Sequence, residues 1–281
     1  MKRHLTRLLA GLLILTLTLA GCQQQGPAIP SDPVEAVKLI ADKQKDITSQ
    51  HLDVTLDFTL MADGLPQDDP SAFLLKNFKA NVTAAGDFDN AKRDFQFNGS
   101  ADLGALTALL AQGEDKIEFE VRKVGDTMHT RAAGQDWSET PIDTASNADA
   151  QADLAQLSAL LKKVARAERL ADEGIDGTDS YHFKVTMDPV ELLAEFAKLA
   201  GDSANIDPAQ LDQARDLLKD AEVILDMWVG KSDLLIRQQL IHFKVDLKNI
   251  PDSPPDLTVL AELNLLMKTS KINQPVTITA P

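Results

Sequence analysis

His51-Leu52-Asp53-Val54-Thr55-Leu56-Asp57-Phe58-Thr59-Leu60 alternates without a break, apolar at every even position and polar at every odd one. A period of two puts the leucines, the valine and the phenylalanine on one face of a strand and leaves the other face to water. The pattern returns at Phe78, Ala80 and Val82, at Phe95 and Phe97, and at Ile117, Phe119 and Val121. A turn at Gly125-Asp126 leads to a further strand over 128–132. Segments 166–173 and 181–187 flank an acidic turn that contains Gly174 and Gly177. Val223, Leu225, Met227 and Val229 open a hairpin through Gly230-Lys231-Ser232-Asp233, which returns along Ile241, Phe243, Val245 and Leu247. A change of register near Gln238-Gln239 predicts a bulge in that return arm. Leu257, Val259, Ala261, Leu263, Leu265 and Met267 close the series. Strand follows strand through short turns, so the sheet is expected to be antiparallel.

Three segments share a different opening. Asp32-Pro33-Val34-Glu35, Asp188-Pro189-Val190-Glu191 and Asp207-Pro208-Ala209-Gln210 each place Asp at a helix cap and Pro at the first helical position. Glu or Gln follows at the third, where its side chain can reach back to the cap. The spacing predicts helices over 33–49, 189–201 and 208–219. Leu154, Leu157, Leu160, Leu161 and Val164 predict a fourth over 148–165. The repeated Asp-Pro-Val-Glu is explained by shared capping chemistry rather than by duplication. The fold class is therefore α+β: a large curved antiparallel sheet whose apolar face is covered by Leu- and Ala-rich helices.

Cys22, the chain's only cysteine, ends the run Leu19-Ala20-Gly21-Cys22. Before it stand Lys2, Arg3 and Arg7 and an apolar stretch, Leu8 to Leu19, too short to span a bilayer comfortably. This pattern resembles a bacterial lipoprotein signal, which implies a diacylglycerol thioether on Cys22 and cleavage before it. The expected division is a signal peptide at 1–21, a flexible tether at 22–31, and a single domain over 32–281. Several acyl chains would anchor such a protein stably to a membrane. Gln23, unlike an Asp at that position, does not favour retention at an inner membrane. The expected place is the outer face of the plasma membrane, or an outer membrane in a host that has one.

The formal charge of -15 becomes -18 once the basic signal is removed. So acidic a body repels nucleic acid and anionic head groups. Aromatic residues are only 5% of the chain, which predicts an aliphatic core. His51, His129, His182 and His242 lie far apart in sequence, have no neighbouring cysteine, and read as solvent-facing strand residues. The acidic turn 172–179 lacks the spacing of a calcium loop. No nucleophile elbow, phosphate loop or dinucleotide fingerprint is present. No catalytic residue, metal or cofactor is therefore assigned, and the chain does not read as an enzyme. Trp137 and Trp228 are expected to pack against neighbouring elements.

Met227-Trp228-Val229-Gly230-Lys231-Ser232-Asp233-Leu234-Leu235-Ile236-Arg237 resembles the hairpin of the LppX/LprAFG family of bacterial lipoproteins, within the LolA/LolB-like superfamily. Val124-Gly125-Asp126-Thr127-Met128-His129-Thr130-Arg131 with Asp136-Trp137, and Gly177-Thr178-Asp179-Ser180-Tyr181-His182-Phe183-Lys184-Val185, are similar to two further elements of that family. The resemblance follows element order over residues 33–272. His129 and the insertion from Gly64 to Ser71 depart from it. It implies a half-barrel with helices in its concavity and a carrier of lipid or glycolipid acyl chains in the cell envelope. Leu56, Phe58, Leu192, Leu193, Phe196, Val223, Leu225 and Met227 are the candidate cavity lining. The alternative is a docking or sensing lipoprotein with a closed core and no ligand.

Overall fold

The computed structural model describes residues 26–65, 75–104, 106–107, 115–142, 161, 163–192, 215–248, 250 and 253–281. Helix α1 (Pro33–Lys43) opens as its sequence dictates: the Asp32 carboxylate accepts from the Glu35 N–H at 3.0 Å, with Pro33 in the first turn. It buries Ala36, Val37, Ile40 and Ala41. The helix expected over 33–49 ends early, passing into a 3-10 turn (Gln44–Asp46) and an extended Ile47. Long-range pairing stops it. Thr48 N–H donates to Asn273 Oδ1 and its carbonyl accepts from Asn90, which fixes the entry to the first strand.

Among the described residues twelve strands follow: β1 (Ser49–Asp63), β2 (Phe78–Asp89), β3 (Asp94–Asp102), β4 (Ile117–Val124), β5 (Thr127–Ala132), β6 (Ser138–Pro141), β7 (Arg166–Arg169), β8 (Glu173–Ile175), β9 (Thr178–Thr186), β10 (Glu222–Gly230), β11 (Ile236–Lys248) and β12 (Thr258–Ser270). They form one open antiparallel sheet in the order β6-β5-β4-β3-β2-β1-β12-β11-β10-β9-β7, with β8 also on β9. Two meanders thus meet where β1 pairs with β12, from His51 opposite Ser270 to Asp63 opposite Thr258. The edges are short strands, which present few unpaired backbone groups. The α+β antiparallel architecture agrees with the expectation from sequence.

Three local details differ from it. The segment 166–173 divides into β7 and the start of β8, and Leu170 N–H between them donates to the His182 carbonyl at 2.9 Å. Strand β6, which carries Ser138-Glu139-Thr140-Pro141, has too little apolar alternation to be read from sequence. The bulge falls at Arg237, between Gln238 opposite Trp228 and Ile236 opposite Val229. Arg237 there reaches Asp233 across the turn.

The core lies at the C-terminal meander. Val37, Ile40 and Ala41 of α1 pack with Phe183, Val185, Leu225, Met227, Val229, Leu234 and Ile236. Gln44 ties the helix end to this hairpin. Its Nε2 donates to Ile40 O and Leu234 O at 2.7 and 3.2 Å, and its Oε1 accepts from Ile236 N–H at 3.1 Å. Leu234 is held at φ +60° with its side chain fully buried, a strained conformation that the surrounding contacts maintain. Ile29 also packs against this core and Gly26 lies against Lys231, so the last residues of the segment read as a tether rest on the domain.

Candidate ligand-binding face

Register places the apolar residues of eight strands on one face in continuous rows. One row runs Ile117, Ala101, Val82, Leu56, Leu265, Ile241, Leu225, Val185. The next runs Ala80, Phe58, Leu263, Phe243, Val223. Leu56, Phe58, Val223, Leu225 and Met227 therefore share a face, as the alternation predicts. Their environments differ. Val223 and Leu225 are 1% exposed and Met227 is fully buried, whereas Leu56 and Phe58 are only half-buried. Leu192 is half-buried in a helical turn whose N–H groups at Val190 and Glu191 donate to Asp188 Oδ1 at 2.8 and 3.2 Å. Leu193 and Phe196 lie outside the described residues, as do Cys22 and most of the helices expected over 148–165, 189–201 and 208–219.

Several members of this face were read from the alternation as apolar strand positions but not as candidate lining. Leu263, Leu265 and Met267 sit at its centre because β12 inserts between β1 and β11, a pairing of distant segments with no local signal. Phe97 and Phe119 lie flat on the neighbouring strands. A Cβ at Gly86 would stand 2.7 Å from the Phe97 ring, and one at Gly99 would collide with Phe119 Cζ. Each glycine faces its phenylalanine directly in register, so ring and bare backbone fit together. Phe88, Phe95 and Phe97 form an aromatic cluster beyond them, with centroids 5.0–6.0 Å apart.

One polar residue interrupts the rows. Gln239 falls between Met227 and Met267 and is 6% exposed, and its Oε1 has no partner among the described residues. An unpaired buried amide oxygen costs roughly 1–3 kcal/mol.

The opposite face is polar. His51 Nδ1 lies 2.7 Å from Asp87, whose other oxygen accepts from Gln96. Burial pushes the Asp87 carboxyl up, but these hydrogen bonds outweigh it and hold the group below the ordinary carboxylate range. Arg131 and Arg122 both pair with Glu120 and stack their guanidinium groups over Trp137, 4.8 and 5.0 Å from its centroid. The Arg131 hydrogen bond, above all, lowers the Glu120 pKa. An open dish of about 770 Å³ lies here over β1–β5, lined by Asp53, Asn98, Glu118, Glu120 and Arg131 among others.

Two histidines read as solvent-facing are buried on this side. His129 is 5% exposed with Glu139 at 3.5 Å. His182 is 8% exposed, stacked on Trp228 at 4.3 Å, with Glu173 and Asp226 at 3.1 and 3.0 Å from its two ring nitrogens. Trp228 Nε1–H donates to Glu173 at 3.1 Å. Alternation identified the face but not its cover: the β8 hairpin folds Glu173 over these rings. Among the described residues, no group of three His, Cys, Asp or Glu is placed to hold a metal ion, and no helix is long and apolar enough to cross a membrane.

No family model matches the sequence, and no curated protein matches it significantly. Among solved structures the chain is similar to the lipoprotein LppX of Mycobacterium tuberculosis, at 16% identity and a TM-score of 0.44 over 89% of this chain and 100% of that one. LprF from Mycobacterium bovis gives 16% identity and a TM-score of 0.44 over 90% and 99%. A LolA superfamily protein from Nitrosomonas europaea gives 10% identity and a TM-score of 0.20 over 83% and 92%.

Proposed function

We propose that this chain is an exported lipoprotein, anchored through Cys22, that holds the acyl chains of a lipid or glycolipid against the apolar face of its sheet and carries them at the membrane. The observation that supports this most is the pair of rows through Leu56, Leu265 and Ile241 and through Phe58, Leu263 and Phe243. They form a broad hydrocarbon surface, with Leu56 and Phe58 only half-buried. Alkyl chains bind such a surface by burial alone, worth roughly 0.8 kcal/mol per methylene. No charged group or exact geometry is required, in keeping with a sequence that has no catalytic signature.

The anchor would act at short range. Four residues carry the chain from Cys22 to Gly26, and Gly26 already rests on Lys231. At roughly 3.3–3.6 Å per residue, Gly26, which rests on the hairpin between β10 and β11, would stay within about 14 Å of the Cys22 backbone. That end of the sheet would then face the bilayer from which cargo is taken.

Native mass spectrometry with lipid extraction tests the reading on the full chain. A stoichiometric bound lipid, with uptake of a fluorescent lipid reduced in Leu265→Trp and in Phe58→Trp, is expected. A tryptophan at Leu225 is less informative, because that site is already closed and would be overpacked. An empty protein that also takes up no added lipid would overturn carriage in favour of a docking or sensing lipoprotein.

A further inference from the structure

Gln239 occupies a position where the alternation of β11 calls for a hydrocarbon side chain. Met227 and Met267 flank it in register, and Phe183 and Val54 continue the row on either side. It is more than nine-tenths buried, and its Oε1 has no hydrogen-bond donor among the described residues. Gln44 shows what a structural buried amide looks like in this fold: its two ends make three hydrogen bonds to backbone. Gln239 has no such use. Methionine would fill the same space beside two methionines without leaving a polar atom dry, so packing does not explain an amide here.

We propose that Gln239 is a ligand contact, its Oε1 accepting a hydrogen bond from a hydroxyl of a neutral acyl lipid that lies along the sheet. The inference rests on the carriage reading above and adds a polar anchor to it. A neutral donor is required. The flanking Val54, Met267, Met227 and Phe183 carry no charge to offset a buried ammonium, and a phosphate or carboxylate would bring an acceptor against an acceptor. Because the amide sits within the apolar layer, the hydroxyl belongs at the junction of the acyl chains, as in a partially acylated glycerol or the first sugar of a glycolipid. A site built to pair a hydroxyl discriminates against the analogue that lacks it, since the buried acceptor is then left dry.

The test is displacement of a fluorescent fatty acid from the full chain in mild detergent. The competitors are dioleoylglycerol, its O-methyl ether and a monoglycosyl dioleoylglycerol, on the natural protein and on Gln239→Met. Circular dichroism melts establish that the variant folds, and Gln239→Leu serves as a second variant. The natural protein is expected to prefer at least one hydroxyl lipid over the ether about tenfold, and the variants to bind all competitors as weakly as the ether. Gln239-dependent preference for dioleoylglycerol assigns the donor to glycerol, and preference for the glycosyl lipid alone assigns it to sugar. Equal binding of hydroxyl lipids and ether by the natural protein, or a preference that survives in folded variants, overturns the role of Gln239 while leaving carriage intact. Failure of the natural protein to bind either the labelled fatty acid or a labelled dioleoylglycerol overturns both.

Discussion

Two positions of a single row set the two halves of the sheet against each other. Leu225 on β10 and Leu56 on β1 are the same residue type on the same face, joined through Ile241 and Leu265, yet Leu225 is 1% exposed and Leu56 is half-buried. At β9 and β10 the face is closed by α1, whose Val37 and Ile40 reach the core around Leu225. On the N-terminal meander the layer is made thin by Ala80, Ala84, Ala101, Gly86 and Gly99, with phenylalanine rings laid across it. The difference teaches that one hydrophobic pattern can serve two purposes. At β9 and β10 the face is a core that holds the fold, and from β11 through β12 and β1 it is a surface able to accept hydrocarbon.

Truncation should separate the halves most sharply. Leu225→Ala is expected to destabilise by about 2–5 kcal/mol, a lost transfer term plus a cavity in packed surroundings. Leu56→Ala should cost roughly 1 kcal/mol, the transfer term of a half-buried side chain. Urea denaturation of both variants measures the contrast. Equal losses would mean that the N-terminal half is as closed as the other, and the accepting surface would have to be sought elsewhere.

A smaller effect is expected where the thin half depends on bare backbone. In Gly99→Val the new side chain would meet Phe119 and approach the Thr83 carbonyl, with the added Cβ 2.6 Å from that oxygen. The ring must leave its place, at a cost of about 1–3 kcal/mol. If Phe119 forms part of the accepting surface, lipid uptake should fall by more than the stability loss explains. A destabilised variant with unchanged uptake would confine the glycine to a packing role and restrict the accepting surface to β1, β12 and β11.

How much of this could be read from sequence follows from the range of the forces. The Asp32 cap, the alternation of 51–60 and the hairpin at 230–233 are local, and all three are where the sequence puts them. The end of α1 was not legible, because Asn90 and Asn273, far along the chain, hold Thr48 in the extended entry to β1. The central place of β12 likewise depends on a pairing between residues some 200 positions apart. Gln239 was legible only as part of a register change. Nothing in Gln238-Gln239 says which amide turns inward until Arg237 is known to be the bulged residue. His182 was misread because a polar strand face was equated with solvent, whereas Glu173 and Trp228 enclose it.

The smallest expected effect concerns the outer face of the thin half, where charge rather than packing joins strands. Glu120 links Arg131 on β5 and Arg122 on its own strand, and its carboxyl is held below the ordinary value near 4.3. A lowered carboxyl stabilises the fold above the pKa of the unfolded chain. That contribution is lost as pH falls through the folded value. The partly exposed pair should be worth no more than about 1 kcal/mol. The natural protein should therefore melt slightly above Glu120→Gln from pH 7 to 5, and the gap should close towards pH 3. Salt should narrow it at neutral pH, because water reaches both partners. A gap that widened on acidification would show that the glutamate is strained rather than stabilised there. The side-chain link between β4 and β5 would then rest on the Trp137 stack.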